Sequence, residues 1–248
     1  MFKRLFALVV VLVCAGGVVA YQVSRPAQAP ADPRVFVPSA AFFLDFSPSF
    51  RTSVADAYYL SMVQYYGEHV TGDGRLDSLP QMVDLVTRLS PHFTRAHLFG
   101  AFALIDAGRP DAGYQTLKRG FKENPGDWHF PAYLGFFAYR YGQGKDKDVT
   151  ASRWYEKAAA IPGSPSYLLR LAAVLAGKGG ADQKAIQMWG QVYLGGDKYV
   201  RQKAVTELDS ILPKDKAARM KAVAPLYDTM PRQEFEALTA ELFKGYAP

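Results

Sequence analysis

The chain has 248 residues, 49% of them apolar and 21% charged, a balance that excludes wholesale disorder and suffices for one folded domain or an elongated repeat array. Its net charge of +6 is dispersed among acids, as in KDKDVTASRWYEK and LPKDKAARMKAV, so no basic stripe forms and a nucleic-acid ligand is not expected. Cys14 is the only cysteine and lies in the apolar N-terminal run, which leaves the rest of the chain without a disulfide, a thiol nucleophile or a thiolate metal ligand.

The first element is that run. After Lys3 and Arg4, no charge occurs from Leu5 to Ser24. As a helix rising about 1.5 Å per residue, residues 5–24 reach about 30 Å, the hydrocarbon thickness of a bilayer. Basic residues stay cytoplasmic, so the chain beyond Arg25 is expected outside the cytoplasm, in the periplasm of a bacterium. Two outcomes stay open for residues 1–24. One is an uncleaved inner-membrane anchor, which suits the length of the run. The other is a removed signal peptide, for which Val18-x-Ala20 and Ala27-x-Ala29 offer small-residue cleavage sites. Attachment of a lipid at Cys14 fits poorly, because Val13 precedes it and more apolar chain follows. Prolines at 26, 30, 33 and 38 then predict an extended tether over residues 25–50, since proline fixes φ and removes a donor.

The body, residues 51–196, repeats. Pro91 of LSP is followed 34 residues later by Pro125 of ENP, and Pro162 of AIP follows after another 37. Between them recur a close pair (Phe99-Gly100, Leu134-Gly135, Leu171-Ala172) and a turn glycine (Gly108, Gly142, Gly180). Small residues come next, Gly113 and Gly120 in one unit and Ala151 and Ala158 in another, on one helix face where a paired helix can approach closely. Leu117, Tyr155 and Trp189 are expected to fill the space between pairs. Four units are predicted, at 51–91, 92–125, 126–162 and 163–196, the first being the weakest. Two glycines inside one helix should each weaken it by about 0.5–1 kcal/mol relative to alanine.

These positions resemble the tetratricopeptide (TPR) repeat family, with a Leu-Gly pair, an aromatic, two small residues seven apart and a closing proline. The resemblance implies an all-α fold, a right-handed α-solenoid of helix pairs. This chain departs from the pattern at Ala96 and Pro131, where the usual Trp is missing, at Ala103 and Ala138 in place of Tyr, and by extra residues between Gly142 and Ala151. The resemblance also implies a partner-binding groove lined by first helices. Carried over by position, it would use Ala57, Ser61 and Gln64 in the first unit, and Thr94, His97 and Ala101 in the second. The third unit would add His129, Ala132, Phe136, Tyr139 and Arg140, and the fourth Leu169 and Ala173. The family's clamp for an acidic C-terminus needs Lys and Asn where this chain has Ala57, His97, Ala132 and Leu169, so an apolar or aromatic peptide is the expected occupant.

Beyond Gly195-Gly196 the period stops. Residues 197–248 read as three amphipathic helices broken by Pro213, Pro225 and Pro231, the terminal caps that a repeat array requires.

Motifs for chemistry are lacking. The four histidines, His69, His92, His97 and His129, form no HExxH pair, and TGDGRLD at 71–77 lacks the ligand spacing of a calcium loop. No nucleophile elbow, phosphate loop or dinucleotide fingerprint occurs. Asp56, on an apolar helix, is read as a first-turn acid or as the partner of Arg51. Within KENPGDWHFPAYLGF, Asp127 is placed to cap the next helix, with Pro131 tolerated in its first turn. No catalytic residue, cofactor or metal is expected. The functional expectation is an envelope scaffold or adaptor that binds a protein or peptide. Its alternatives are an assembly factor, as in cytochrome c maturation, or an envelope enzyme acting on peptidoglycan.

Overall fold

The structure is a computed structural model that describes residues 37–46, 48–144 and 146–246. The expected membrane segment at 5–24 and residues 25–36 of the tether lie outside these residues. Among the described residues, no helix is long and apolar enough to cross a membrane.

The described chain is all-helical, with no strand. Its helices are α1 (Ala40–Phe46), α2 (Arg51–Thr71), α3 (Leu79–Leu89), α4 (Thr94–Asp106), α5 (Pro110–Glu123) and α6 (His129–Tyr141). They are followed by α7 (Lys147–Ala159), α8 (Tyr167–Lys178), α9 (Asp182–Gly195), α10 (Lys198–Ile211), α11 (Lys216–Val223) and α12 (Arg232–Leu242). From α2 to α10, each helix packs on the next in chain order, giving an all-helical, repeat-like stack. The two helices of each predicted unit fall inside its boundaries: α2 and α3, α4 and α5, α6 and α7, α8 and α9.

The punctuation follows from residue chemistry. Gly74, Gly108 and Gly180 take φ of 71°, 71° and 76°, the left-handed region that side chains with a Cβ avoid. In the third pair this role passes from Gly142 to Gly144, φ 85°, because the extra residues lengthen that loop. Pro110 opens α5, where its missing N–H costs nothing. In the cap, Asp197 accepts from the Val200 N–H at 2.9 Å and Asp215 from the Ala218 N–H at 2.8 Å, starting α10 and α11.

Small residues set how closely the helices approach. A Cβ on Gly113 would lie 2.6 Å from the Ala101 carbonyl oxygen, and one on Gly120 would overlap the Phe130 ring. Ala151 and Ala158 are fully buried, and Leu117, Tyr155 and Trp189 fill the interior as expected. The same device recurs at Gly190, whose missing Cβ leaves room for Leu226 of the cap.

Two features differ from expectation. Residues 40–46 and 48–50 are helical rather than extended: Ala40 is buried in one cluster with Leu85, Leu89 and Ala96, and Phe43 packs on Tyr58. A short helix therefore covers the apolar face of the first pair, where the tether was expected to continue. Asp56 is the sixth residue of α2, beyond its first turn, and is exposed; among the described residues no ion pair links it to Arg51.

Candidate functional site

The stretch 122–136 builds the entrance to α6. Asp127 Oδ1 accepts from the backbone N–H of His129 at 3.0 Å and lies 2.7 Å from the ring Nδ1 of the same residue. Burial pushes the Asp127 carboxyl up, but hydrogen bonds from His129 and Thr94 outweigh it and hold the group below its usual range. The His129 ring is stacked on Trp128, with centroids 3.7 Å apart. His129 is thus occupied in fixing the start of α6.

Trp128 opens a cavity of about 370 Å³ between α6 and α8. Ala132, Tyr133 and Phe136 form one wall and Tyr167, Leu168 and Leu171 the other, with Phe102 and Tyr155 completing it. No charged side chain lines it. The α6 wall is an aromatic cluster: the Phe102 ring meets Tyr133 edge-on at 5.0 Å, and Phe137 and Phe136 lie 5.6 and 6.2 Å from it. Tyr155 reaches the cavity because Gly135 has no Cβ, so that its ring lies against the α6 backbone. Burial raises the Tyr155 phenol pKa first, and the nearby Tyr167 and Tyr139 raise it further.

Six of the expected groove residues separate into three sets. Ala132 and Phe136 line the cavity, Phe136 with 38% of its surface exposed. Tyr139, Arg140 and Gln64 are exposed but do not line it; the Arg140 guanidinium and the Lys147 ammonium sit over the Tyr141 and Tyr139 rings, respectively. Leu169 faces a different cavity, beside Gly196 and Val200.

His97 and Ala101 are corrections. Both are buried, at 1% and 0% exposure, and neither faces a groove. The His97 ring nitrogens sit 3.0 Å from the Pro91 carbonyl and 3.3 Å from the Thr116 carbonyl, so the residue ties the α3–α4 connection to α5. Desolvation lowers its pKa, against the pull of those two carbonyls. Asn124 donates to the same Pro91 carbonyl at 3.1 Å, closing the junction. Ala173, in the fourth unit, is likewise core.

Residues that the carry-over by position did not select are Phe102, Trp128, Tyr133, Tyr155, Tyr167, Leu168 and Leu171. The sequence held a signal for several of them. Phe99, Tyr133 and Tyr167 recur at 34 residues, as do Phe102 and Phe136, at the period of the repeat itself. Phe99 extends the aromatic series to α2, meeting Tyr59 and Tyr66 with centroids 6.2 and 5.4 Å away. Tyr66 also donates a hydrogen bond to Asp106, which, with burial, pushes its phenol up to about 12.

Among the described residues, no group of three His, Cys, Asp or Glu side chains is arranged to hold a metal ion. The geometry defines an apolar, phenol-bearing cleft on an all-helical, repeat-like protein. Scans against protein-family models and against curated proteins return no match.

Proposed function

We propose that this chain is a tetratricopeptide-like scaffold that binds protein or peptide partners in a bacterial cell envelope, held at the inner membrane by residues 5–24. The observation that carries the reading is the cleft between α6 and α8, two successive first helices of the stack, whose lining is aromatic and free of charge. Side chains turned toward solvent on such helices are ordinarily polar. A cluster with Phe136, Tyr167 and Leu171 at 38–46% exposure is a surface suited to covering by a partner. The role is recognition rather than catalysis, and the N-terminal apolar run and proline-rich stretch supply the address and the spacing from the bilayer.

The test is crosslinking in intact membranes followed by capture of the full chain. A defined protein partner recovered in stoichiometric amount is the expected result. Recovery of lipid and abundant porins alone would count against the proposal.

A further inference from the structure

We infer that Phe42, Leu44 and Phe50, on α1 and the turn into α2, insert into the interfacial layer of a lipid bilayer and hold the body against the membrane surface. The inference rests on the anchoring by residues 5–24 proposed above and adds a second contact with lipid.

Three observations carry it. The first is the chemistry of the exposed side chains. On α1, α2 and the turn between them, the large exposed apolar residues are hydrocarbon throughout: Phe42, Leu44, Phe50, Leu60, Val63 and Val70. From α6 onward most are tyrosines, such as Tyr139, Tyr141, Tyr199 and Tyr227, whose hydroxyls keep water beside the ring. Apolar surface without a polar tip is thus gathered on the first two helices, and such a patch marks a contact with another apolar phase.

The second is that α1 is already oriented for this contact. Ala40 and Phe43, three residues apart on one helix face, turn to the body: Ala40 lies in the cluster with Leu85, Leu89 and Ala96, and Phe43 packs on Tyr58. Phe42 and Leu44 are left outside at 52% and 39% exposure, and Phe50 stands at 66% just before α2. An element fixed in advance pays little ordering entropy when its outer side chains enter lipid. Asp45 and Arg51, both exposed in the same segment, cancel in charge. The attraction therefore comes from hydrocarbon burial and not from anionic headgroups.

The third is the covalent distance. Residues 25–36 separate the apolar run from Val37, and 36 − 24 = 12 residues reach no farther than about 40 Å. Every copy anchored by residues 5–24 therefore carries α1 close to a bilayer surface. A tether this short makes the second contact intramolecular, at an effective concentration on the order of millimolar. A second copy of the chain, or a soluble partner, has no such advantage at this face.

The experiment uses the full chain with Cys14→Ser, reconstituted into phosphatidylcholine nanodiscs, with one new cysteine carrying a nitroxide. Leu44→Cys and Phe50→Cys report the contact; Tyr199→Cys, at a site 76% exposed on α10, is the aqueous control. Power saturation compares collisions with oxygen, which partitions into lipid, and with a nickel chelate, which stays in water. The oxygen-to-nickel ratio at 44 and 50 should exceed that at 199 severalfold, and should not change between about 0.1 and 1 M salt. Phe42→Ser with Leu44→Ser, both at exposed positions, should return the label at 50 to the ratio at 199 while the circular dichroism stays the same.

A label at 50 as water-exposed as that at 199, in a chain that remains in the disc at alkaline pH, overturns the inference and leaves the anchor standing. Shielding of the label from both oxygen and nickel, or spin–spin broadening between two copies, reveals a protein cover and overturns it as well. A chain that leaves the disc at alkaline pH removes the anchor and the inference together. Partner capture by crosslinking reads the scaffold role separately from all of these.

Discussion

Gly120 of α5 lies directly against the ring of Phe130 in α6, so close that a single added methyl would overlap it. The contact joins the second helix pair to the third, and Phe130 is fully buried there. In isolation, glycine inside a helix is a weakness of about 0.5–1 kcal/mol; in this packing it is what lets the two pairs meet.

Gly120→Ala should therefore destabilise the chain by about 1–3 kcal/mol despite alanine's better helix propensity, because the core is already filled. Gly67, on the exposed side of α2 with open space where a Cβ would stand, supplies the opposite case. Gly67→Ala should stabilise by about 0.5–1 kcal/mol. Urea unfolding followed by circular dichroism checks both, and the signs of the two midpoint shifts should differ.

His97 predicts a pH dependence. Its folded-state pKa is depressed by burial, so the unfolded chain binds more protons as pH falls through the usual histidine value of about 6.5. Stability contributed by neutral His97 is present above that value and is lost progressively below it. The denaturation midpoint should fall between about pH 7 and pH 5, before the carboxylates of Asp73 and Asp127, both held below their usual range, begin to titrate. In His97→Gln, which retains a donor for the Pro91 carbonyl, the midpoint should be nearly flat across that window. An unchanged slope would place the effect elsewhere.

Tyr66 gives a spectroscopic handle on the link between α2 and α4. Its phenol, pushed up to about 12 by the hydrogen bond to Asp106, should ionise after the exposed tyrosines in an ultraviolet titration. Tyr66→Phe should remove that late step, and Asp106→Asn should move it down. A raised phenol pKa stabilises the fold below pH 10 and loses that contribution as pH rises toward 12. The loss in stability at neutral pH for Tyr66→Phe should be about 0.5–1.5 kcal/mol, the usual worth of one such bond.

Arg219 holds the C-terminal cap. It is 2% exposed, paired with Asp209, within reach of the Pro213 carbonyl at 3.3 Å, and lies over the rings of Phe243 and Tyr246 at 5.8 and 5.2 Å. Arg219→Ala removes a buried cation together with the surface on which both rings rest, and should cost about 3 kcal/mol. Limited proteolysis should then cut between α11 and α12 well before the repeat helices are attacked. Arg219→Lys should restore only part of the resistance, since an ammonium lacks the flat face and the fork of donors.

The amino-acid order by itself determined the helix pairs. Prolines at 91, 125 and 162 and the small residues at 113, 120, 151 and 158 act locally, through φ restriction and through bulk, and their consequences hold wherever the helices travel. The positions that fill the interior, Leu117, Tyr155 and Trp189, follow from the same period. The aromatic cleft followed only at Ala132 and Phe136, because it depends on helix rotation. One residue along a helix turns the surface by about 100°, so an error of one position in either direction selects Ala101 in place of Phe102, or Leu169 in place of Leu168. Only packing between neighbouring pairs decides which of these faces its neighbour and which faces solvent. That is why His97 became a core residue between two carbonyls, why His129 became the anchor of α6, and why Phe102, Tyr133, Phe136 and Tyr167 came to line the cleft.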